Sequence, residues 1–134
     1  TRVNGGRSIF MLRLLESFPT IISSVKSSIA EYKISSILDI SNTVVVKRGI
    51  EGAYAINSRD EEVKIPAFLS DAVDTTAAGD SFNAGFLYSV LKGFDLAKSV
   101  TIANWVASKT VQGVGISSLP EEKDLTKFID SYEF

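Results

Sequence analysis

Apolar residues crowd Ile9, Phe10, Leu12, Leu14, Leu15 and Phe18, and after Pro19 they recur at Ile21, Ile22, Val25 and Ile29. The near-helical spacing predicts two helices here; Ser23, Ser24, Ser27 and Ser28 would suit a linker, but the apolar positions around them keep a period and the stretch is read as helix. The pattern then changes. Thr43 to Lys47 is rich in β-branched residues and predicts a strand, closed by Gly49 and Gly52 before a second strand at Tyr54-Ala55-Ile56. Ser58 to Glu62 reads as a polar turn. Val63 to Phe68 reads as a third strand that Pro66 confines to an edge or an end, which completes a short antiparallel meander.

Past Thr76 a helical period takes over. Phe82, Phe86, Leu87, Val90 and Leu91 line one face of a helix that Gly93 is placed to end. A second helix follows Asp95, with Ala97, Val100, Ala103, Ala107 and Val111 turned to the core, and stops before Gly113 and Gly115. Ser118 to Glu121 carries a capping-box signal, with Pro120 suited to a first turn, and Leu125, Phe128, Ile129 and Tyr132 supply the stripe of a last helix. Strands followed by helices, with no internal repeat, give an α/β class.

Composition narrows the chemistry. The 134 residues are 45% hydrophobic and 22% charged, as expected of a globular domain. A net charge of −2 gives no basic field for a nucleic acid, and no apolar run approaches the ~20 residues of a membrane span. With no cysteine and no histidine, disulfides, thiolate metal sites, His-ligated zinc and Ser-His relays are excluded. A cytoplasmic protein is the expectation, and the start without an initiator methionine suggests a piece cut from something longer.

The densest local signal is Asp74-Thr75-Thr76-Ala77-Ala78-Gly79-Asp80-Ser81-Phe82, a small-residue turn running into an amphipathic helix. First-turn N–H groups lack helical partners and sum with the helix dipole, so an anion is favoured there. Ala77, Ala78 and Gly79 would let a phosphate approach the backbone, and Asp80 lies in the same turn, where it could take the proton of an attacking hydroxyl. On position alone, a helix cap is the commoner role for such an aspartate.

The string DTTAAGDSF, followed by Asn83-Ala84-Gly85-Phe86, resembles the second signature of the ribokinase/PfkB family of carbohydrate kinases, usually written Asp-Thr-Thr-Gly-Ala-Gly-Asp. The resemblance implies a ribokinase-like three-layer α/β/α sandwich, of which residues 1–134 would be the C-terminal half with its short meander. It implies that Asp80 is the catalytic base and that the N–H groups of Ala78, Gly79 and Asp80 form an anion hole. Ala77 stands where the family most often has glycine, and 2-keto-3-deoxygluconate kinases share it, a slight lean toward that branch.

The family's order also gives meaning to weaker stretches. Val46 to Gly52 resembles the segment that approaches ATP, with Gly49 and Gly52 near the phosphates and Lys47 or Arg48 adding charge; taken alone, the G-x-x-G is a hairpin turn. Ala103-Asn104 and the later Thr110 to Val114, including Gly113, resemble the helix and loop beside adenine, although Asn104 alone reads as an exposed helix residue. Asp74, Thr76 and Gly113 match positions that hold a monovalent cation such as K⁺ in the family. ATP and Mg²⁺ are the implied cofactors.

The resemblance covers residues 43 to 120, with no counterpart of the family's Gly-Gly-Asn signature, sugar-binding half or lid strands. Members run to about two average-sized domains. The expected partners are therefore a small sugar or sugar-acid substrate and either a missing N-terminal half or a second copy in a homo-oligomer. The alternatives are a non-catalytic nucleotide-binding or regulatory fragment and a purely structural α/β domain.

Overall fold

Three successive valines, Val44, Val45 and Val46, are 0%, 0% and 4% exposed. Because neighbouring strand residues face opposite sides of a sheet, both faces of their strand are covered. The computed structural model describes residues 42–134 in full and, before them, the backbone of Arg2–Val3, Arg7–Leu14 and Phe18–Ser24. The chain divides into two compact units, Thr1–Lys64 and Ile65–Phe134, each described by itself.

Six strands form one sheet in chain order: β1 (Arg2–Val3), β2 (Arg7–Leu14), β3 (Phe18–Ser24), β4 (Thr43–Lys47), β5 (Ala53–Asn57) and β6 (Glu62–Ile65). β4 and β5 pair antiparallel, Val44 opposite Ile56 and Val46 opposite Tyr54. The link between them is a 3₁₀ turn at Gly49–Glu51, closed where the Arg48 N–H donates to the Gly52 carbonyl at 2.8 Å. Gly49 (φ +59°) and Gly52 (φ +93°) sit in the left-handed region, so the G-x-x-G is a hairpin turn that needs both glycines. Asn57 organises the next turn, its Oδ1 accepting from the N–H groups of Arg59 and Glu61 at 3.0 and 3.1 Å. β6 stops at the residue before Pro66, as the proline predicted.

The first part of the chain corrects the sequence reading. Residues expected as helices around Ile9 to Phe18 and after Pro19 form β2 and β3, paired antiparallel with Phe10 opposite Ile22. The near-continuous apolar run Ile9 to Leu12 lacks the polar positions that tell a helix stripe from a strand, and in β3 Thr20, Ile21 and Ile22 add β-branching. The helix positions Val25 and Ile29 lie outside the described residues. Of the paired strands, β3–β4 is parallel, whereas β1–β2, β2–β3 and β4–β5 are antiparallel.

The second unit holds α1 (Ala78–Leu91), α2 (Leu96–Thr110) and α3 (Glu122–Ser131). Gly93 ends the α1 region with φ +79°, and Asp95 caps α2 by accepting the Lys98 N–H at 2.8 Å. α1 and α2 meet where a Cβ on Gly85 would lie 3.0 Å from Val106 Cγ2 and 3.1 Å from Ala103 Cα. The one-sided stripe expected for α2 does not form. Ile102 and Val106 are buried along with Val100, while Ala97 and Ala107 are half-buried. Buried Thr101 and Thr110 satisfy their hydroxyls on the carbonyls of Ala97 and Val106, at 2.7 and 2.9 Å.

The α3 start also differs from expectation. Its N-cap is Glu121, and the Asp124 carboxylate accepts the Glu121 N–H at 3.1 Å, so the box lies three residues beyond Ser118 and Pro120 precedes the cap. The aromatic stripe is confirmed: Phe128 stacks on Trp105 at 4.4 Å and 7° between planes and meets Phe68 edge-on at 5.8 Å.

Candidate active site

Both oxygens of the Asp74 carboxylate are engaged. Oδ1 accepts the Thr76 N–H at 2.9 Å and the Thr76 hydroxyl, and Oδ2 accepts the Gly115 N–H at 2.9 Å. The Thr76 hydroxyl, the Gly115 N–H and the Thr76 N–H, in that order, stabilise the charged form and lower the Asp74 pKa from 3.8 to about 2. The backbone adds to this clasp, as Val73 and Asp74 donate to the Val111 carbonyl at 2.7 and 3.1 Å. The turn ahead of α1 is thereby tied to the loop that follows α2.

That turn delivers α1 with an alanine at its N-cap. Ala77 has φ −95° and ψ 5°, so alanine sits there without left-handed strain, and no side chain caps the terminus. The Ala78 N–H donates to the Thr75 carbonyl at 3.2 Å, and the Ser81 N–H to the Ala77 carbonyl at 3.0 Å. Asp80 is the acidic residue of the first turn and is exposed. A fourteen-residue helix thus presents its positive end beside an accessible carboxylate, walled by residues with little or no side chain.

The remaining predicted positions fall in several places. Gly113 shares the loop of Gly115 but packs against Ser117 and Ser118: an added Cβ would lie 2.6 Å from the Ser117 Oγ and 2.1 Å from the Ser118 Oγ. Ala103 is fully buried in the α1–α2 contact. Asn104 is 6% exposed, not a surface residue, and its Nδ2 donates to the carbonyls of Ile65 and Pro66 at 3.1 and 3.2 Å. Lys47, Gly49 and Gly52 belong to the strand unit, at the β4–β5 hairpin. Sequence reading missed Gly115 as the partner of Asp74. Its signal was the second glycine of Gly113-Val114-Gly115, which takes φ +57°.

The sequence profile of the pfkB family of carbohydrate kinases matches residues 24–123. An uncharacterised sugar kinase from Archaeoglobus fulgidus is 44% identical over 82 residues, which is 60% of this chain and 32% of that protein. A ribokinase crystal structure from Thermotoga maritima superposes with a TM-score of 0.67 at 31% identity, over 75% of this chain and 34% of that one. An Escherichia coli protein described as a ribokinase II, solved in complex with ATP and Mg²⁺, gives a TM-score of 0.69 at 26% identity, over 81% and 35%. The chain therefore spans about a third of the length of the proteins that it matches. These likenesses establish the ribokinase-like α/β fold. With its DTTAAGD turn opening α1 and three-quarters of its length inside the family profile, the chain belongs to the pfkB family of carbohydrate kinases.

Proposed function

We propose that this chain carries the phosphoryl-transfer end of an ATP-dependent kinase whose acceptor is a hydroxyl of a sugar, sugar acid or nucleoside. The observation that supports it best is the α1 terminus, where Ala77 leaves the helix without a side-chain cap and Asp80 stands exposed one turn in. Asp80 accepts the acceptor hydroxyl's proton as its oxygen bonds to the γ-phosphorus, and the bond from that phosphorus to the ADP oxygen breaks. Of the three N–H groups expected in the anion hole, that of Ala78 donates to the Thr75 carbonyl; those of Gly79 and Asp80, with the α1 dipole, are proposed to face the charge on the transferring group, and Ala77 and Ala78 leave room for it. Bound Mg-ATP supplies the phosphoryl group and the metal that neutralises it. Among the described residues no three His, Cys, Asp or Glu side chains gather, so the phosphates and water are proposed to hold the Mg²⁺.

Lys47, Gly49 and Gly52 are proposed as nucleotide-binding positions of the strand unit and Gly113 as one near adenine; Ala103, fully buried between α1 and α2, and Asn104, its amide engaged by the Ile65 and Pro66 carbonyls, are proposed to shape the helix beside adenine. Asp74, Thr76 and the Gly113–Gly115 loop are proposed to frame a K⁺ site. Ala77 leans the acceptor toward 2-keto-3-deoxygluconate. Among the described residues no helix is long and apolar enough to cross a membrane, and a cytoplasmic enzyme, acting with its remaining half or as a homo-oligomer, completes the proposal.

Calorimetric titration of Mg-ATP into the chain tests this reading, run beside Asp80→Asn and Gly79→Val. Binding should survive Asp80→Asn and be lost in Gly79→Val, and transfer by the enzyme should fall by about 10²–10⁴ in Asp80→Asn. Full transfer by Asp80→Asn would refute the base assignment.

A further inference from the structure

Gly85 is buried in the middle of α1, where a glycine weakens the helix and needs a reason in the packing. The reason lies on α2. A Cβ at Gly85 would stand 3.0 Å from Val106 Cγ2, 3.1 Å from Ala103 Cα and 3.2 Å from Val106 Cβ, whereas carbon atoms rest at about 3.5–4.0 Å. Four residues to either side, Ser81 and Ser89 are buried on the same stripe of α1. Each keeps its hydroxyl on its own helix, Ser81 donating to the Ala78 carbonyl at 3.1 Å and Ser89 to the Gly85 carbonyl at 2.8 Å. No long side chain on this stripe stands between the helices as a spacer that could rotate, and at Ala103 α1 rests against backbone.

α1 runs unbroken from Ala78 to Leu91, so Asp80 in its first turn and Gly85 belong to one hydrogen-bonded rod, about 7.5 Å apart along the axis at 1.5 Å per residue. Nothing extensible lies between them. The clasp on Asp74, by contrast, holds the turn ahead of the helix and not the helix itself. Five residues at 3.6 per turn put Asp80 about 140° around α1 from Gly85, on the side turned away from α2, and Asp80 is exposed there. The depth at which α1 seats on α2 therefore adds directly to how far the Asp80 carboxylate and the first-turn N–H groups reach.

We infer that Gly85 is a positioning residue: its missing side chain sets the depth of α1 on α2, and thereby the place of Asp80 and of the Gly79 and Asp80 N–H groups. The inference rests on the reading of Asp80 as the base. In Gly85→Ala the added Cβ would have to back away by about 0.5–1 Å to reach ordinary contact, and a misplacement near 1 Å costs about 10²-fold in a reaction that depends on alignment.

Crystal structures of the full 134-residue chain, wild type and Gly85→Ala, superposed on α2, test it. The Asp80 Cα should move by about 0.5 Å or more, in the same direction as the Cα at position 85. An Asp80 that stays in place, with the contact relieved by a kink at position 85 or a rotation of Val106, would overturn the inference. If Gly85→Ala does not fold, Gly85→Ala combined with Val106→Ala removes the nearest methyl, leaves the Ala103 contact and is read by the same criterion. In a transfer assay of the enzyme, kcat of Gly85→Ala should fall about 10–100-fold. Ala84→Gly, which weakens α1 at an exposed position without pressing on α2, should leave kcat unchanged. An unchanged kcat in Gly85→Ala, or an equal fall in both, would also overturn it. The fall should largely disappear in the Asp80→Asn background, where the displaced base is already absent; losses that multiply would make Gly85 a residue of stability only. Full transfer by Asp80→Asn counts against the base reading alone, since the displacement is measured without turnover.

Discussion

Asp74 Oδ2 accepts the backbone N–H of Gly115 at 2.9 Å across 41 residues of sequence, and so joins the turn before α1 to the loop after α2. This bond needs the carboxylate. The folded pKa of about 2 lies below the unfolded value of 3.8, so the bond's contribution is complete above about pH 4 and is lost as pH falls toward 2. The Gly115 amide shift should titrate with that low midpoint, and Asp74→Asn should abolish the titration. A Gly115 shift that is flat down to pH 2 would refute the assignment.

Ala77 departs from the family's usual glycine, and at φ −95° it does so without strain. Restoring glycine should therefore destabilise the chain by about 0.4–1 kcal/mol, by widening the unfolded ensemble, and should leave phosphoryl transfer unchanged. Denaturant unfolding of Ala77→Gly reads the first effect; a gain in stability would mean that alanine is strained after all.

Legibility in the sequence followed how local the controlling interaction was. The β4 strand, the helix start after Asp95 and the Gly93 stop were readable because a β-branched run, a short polar side chain and a glycine each act within a few residues. The DTTAAGD turn and its helix were readable for the same reason. β2 was misread because a near-gapless apolar run fits either period, and β3 because its few apolar positions do too; the identity of both is set by pairing between strands. The Gly115 partner of Asp74 and the carbonyl partners of Asn104 were not read because they lie 38 to 41 residues away, and a side chain's destination is fixed by tertiary structure.

Gly113 and Gly115 should fail differently when replaced. At Gly115 a Cβ meets open space, but φ is +57°, so Gly115→Ala should cost about 1–2 kcal/mol whatever its neighbours. At Gly113 the obstacle is the Ser118 hydroxyl at 2.1 Å, so Ser118→Ala should recover part of the loss in Gly113→Ala and none of that in Gly115→Ala. A double-mutant cycle by thermal unfolding separates the two.

Gly85 permits a close approach of α1 and α2, and one atom beneath it, Ala103 Cα, is backbone and cannot rotate away. Gly85→Val should destabilise by about 1–3 kcal/mol through overpacking. Combining it with Val106→Ala should be less harmful than the sum of the two, which a stability cycle would show; strict additivity would mean that the helices do not meet at this point.

The stacking of Trp105 on Phe128 has a spectroscopic consequence. The chain contains a single tryptophan, so its indole emission has one source, and that source lies on α2 against α3. Fluorescence during unfolding therefore times the separation of these two helices, while far-ultraviolet dichroism averages over every element. Superimposable curves from the two probes would make the detachment of α3 part of one cooperative event, and an earlier indole transition would make α3 the first element to leave.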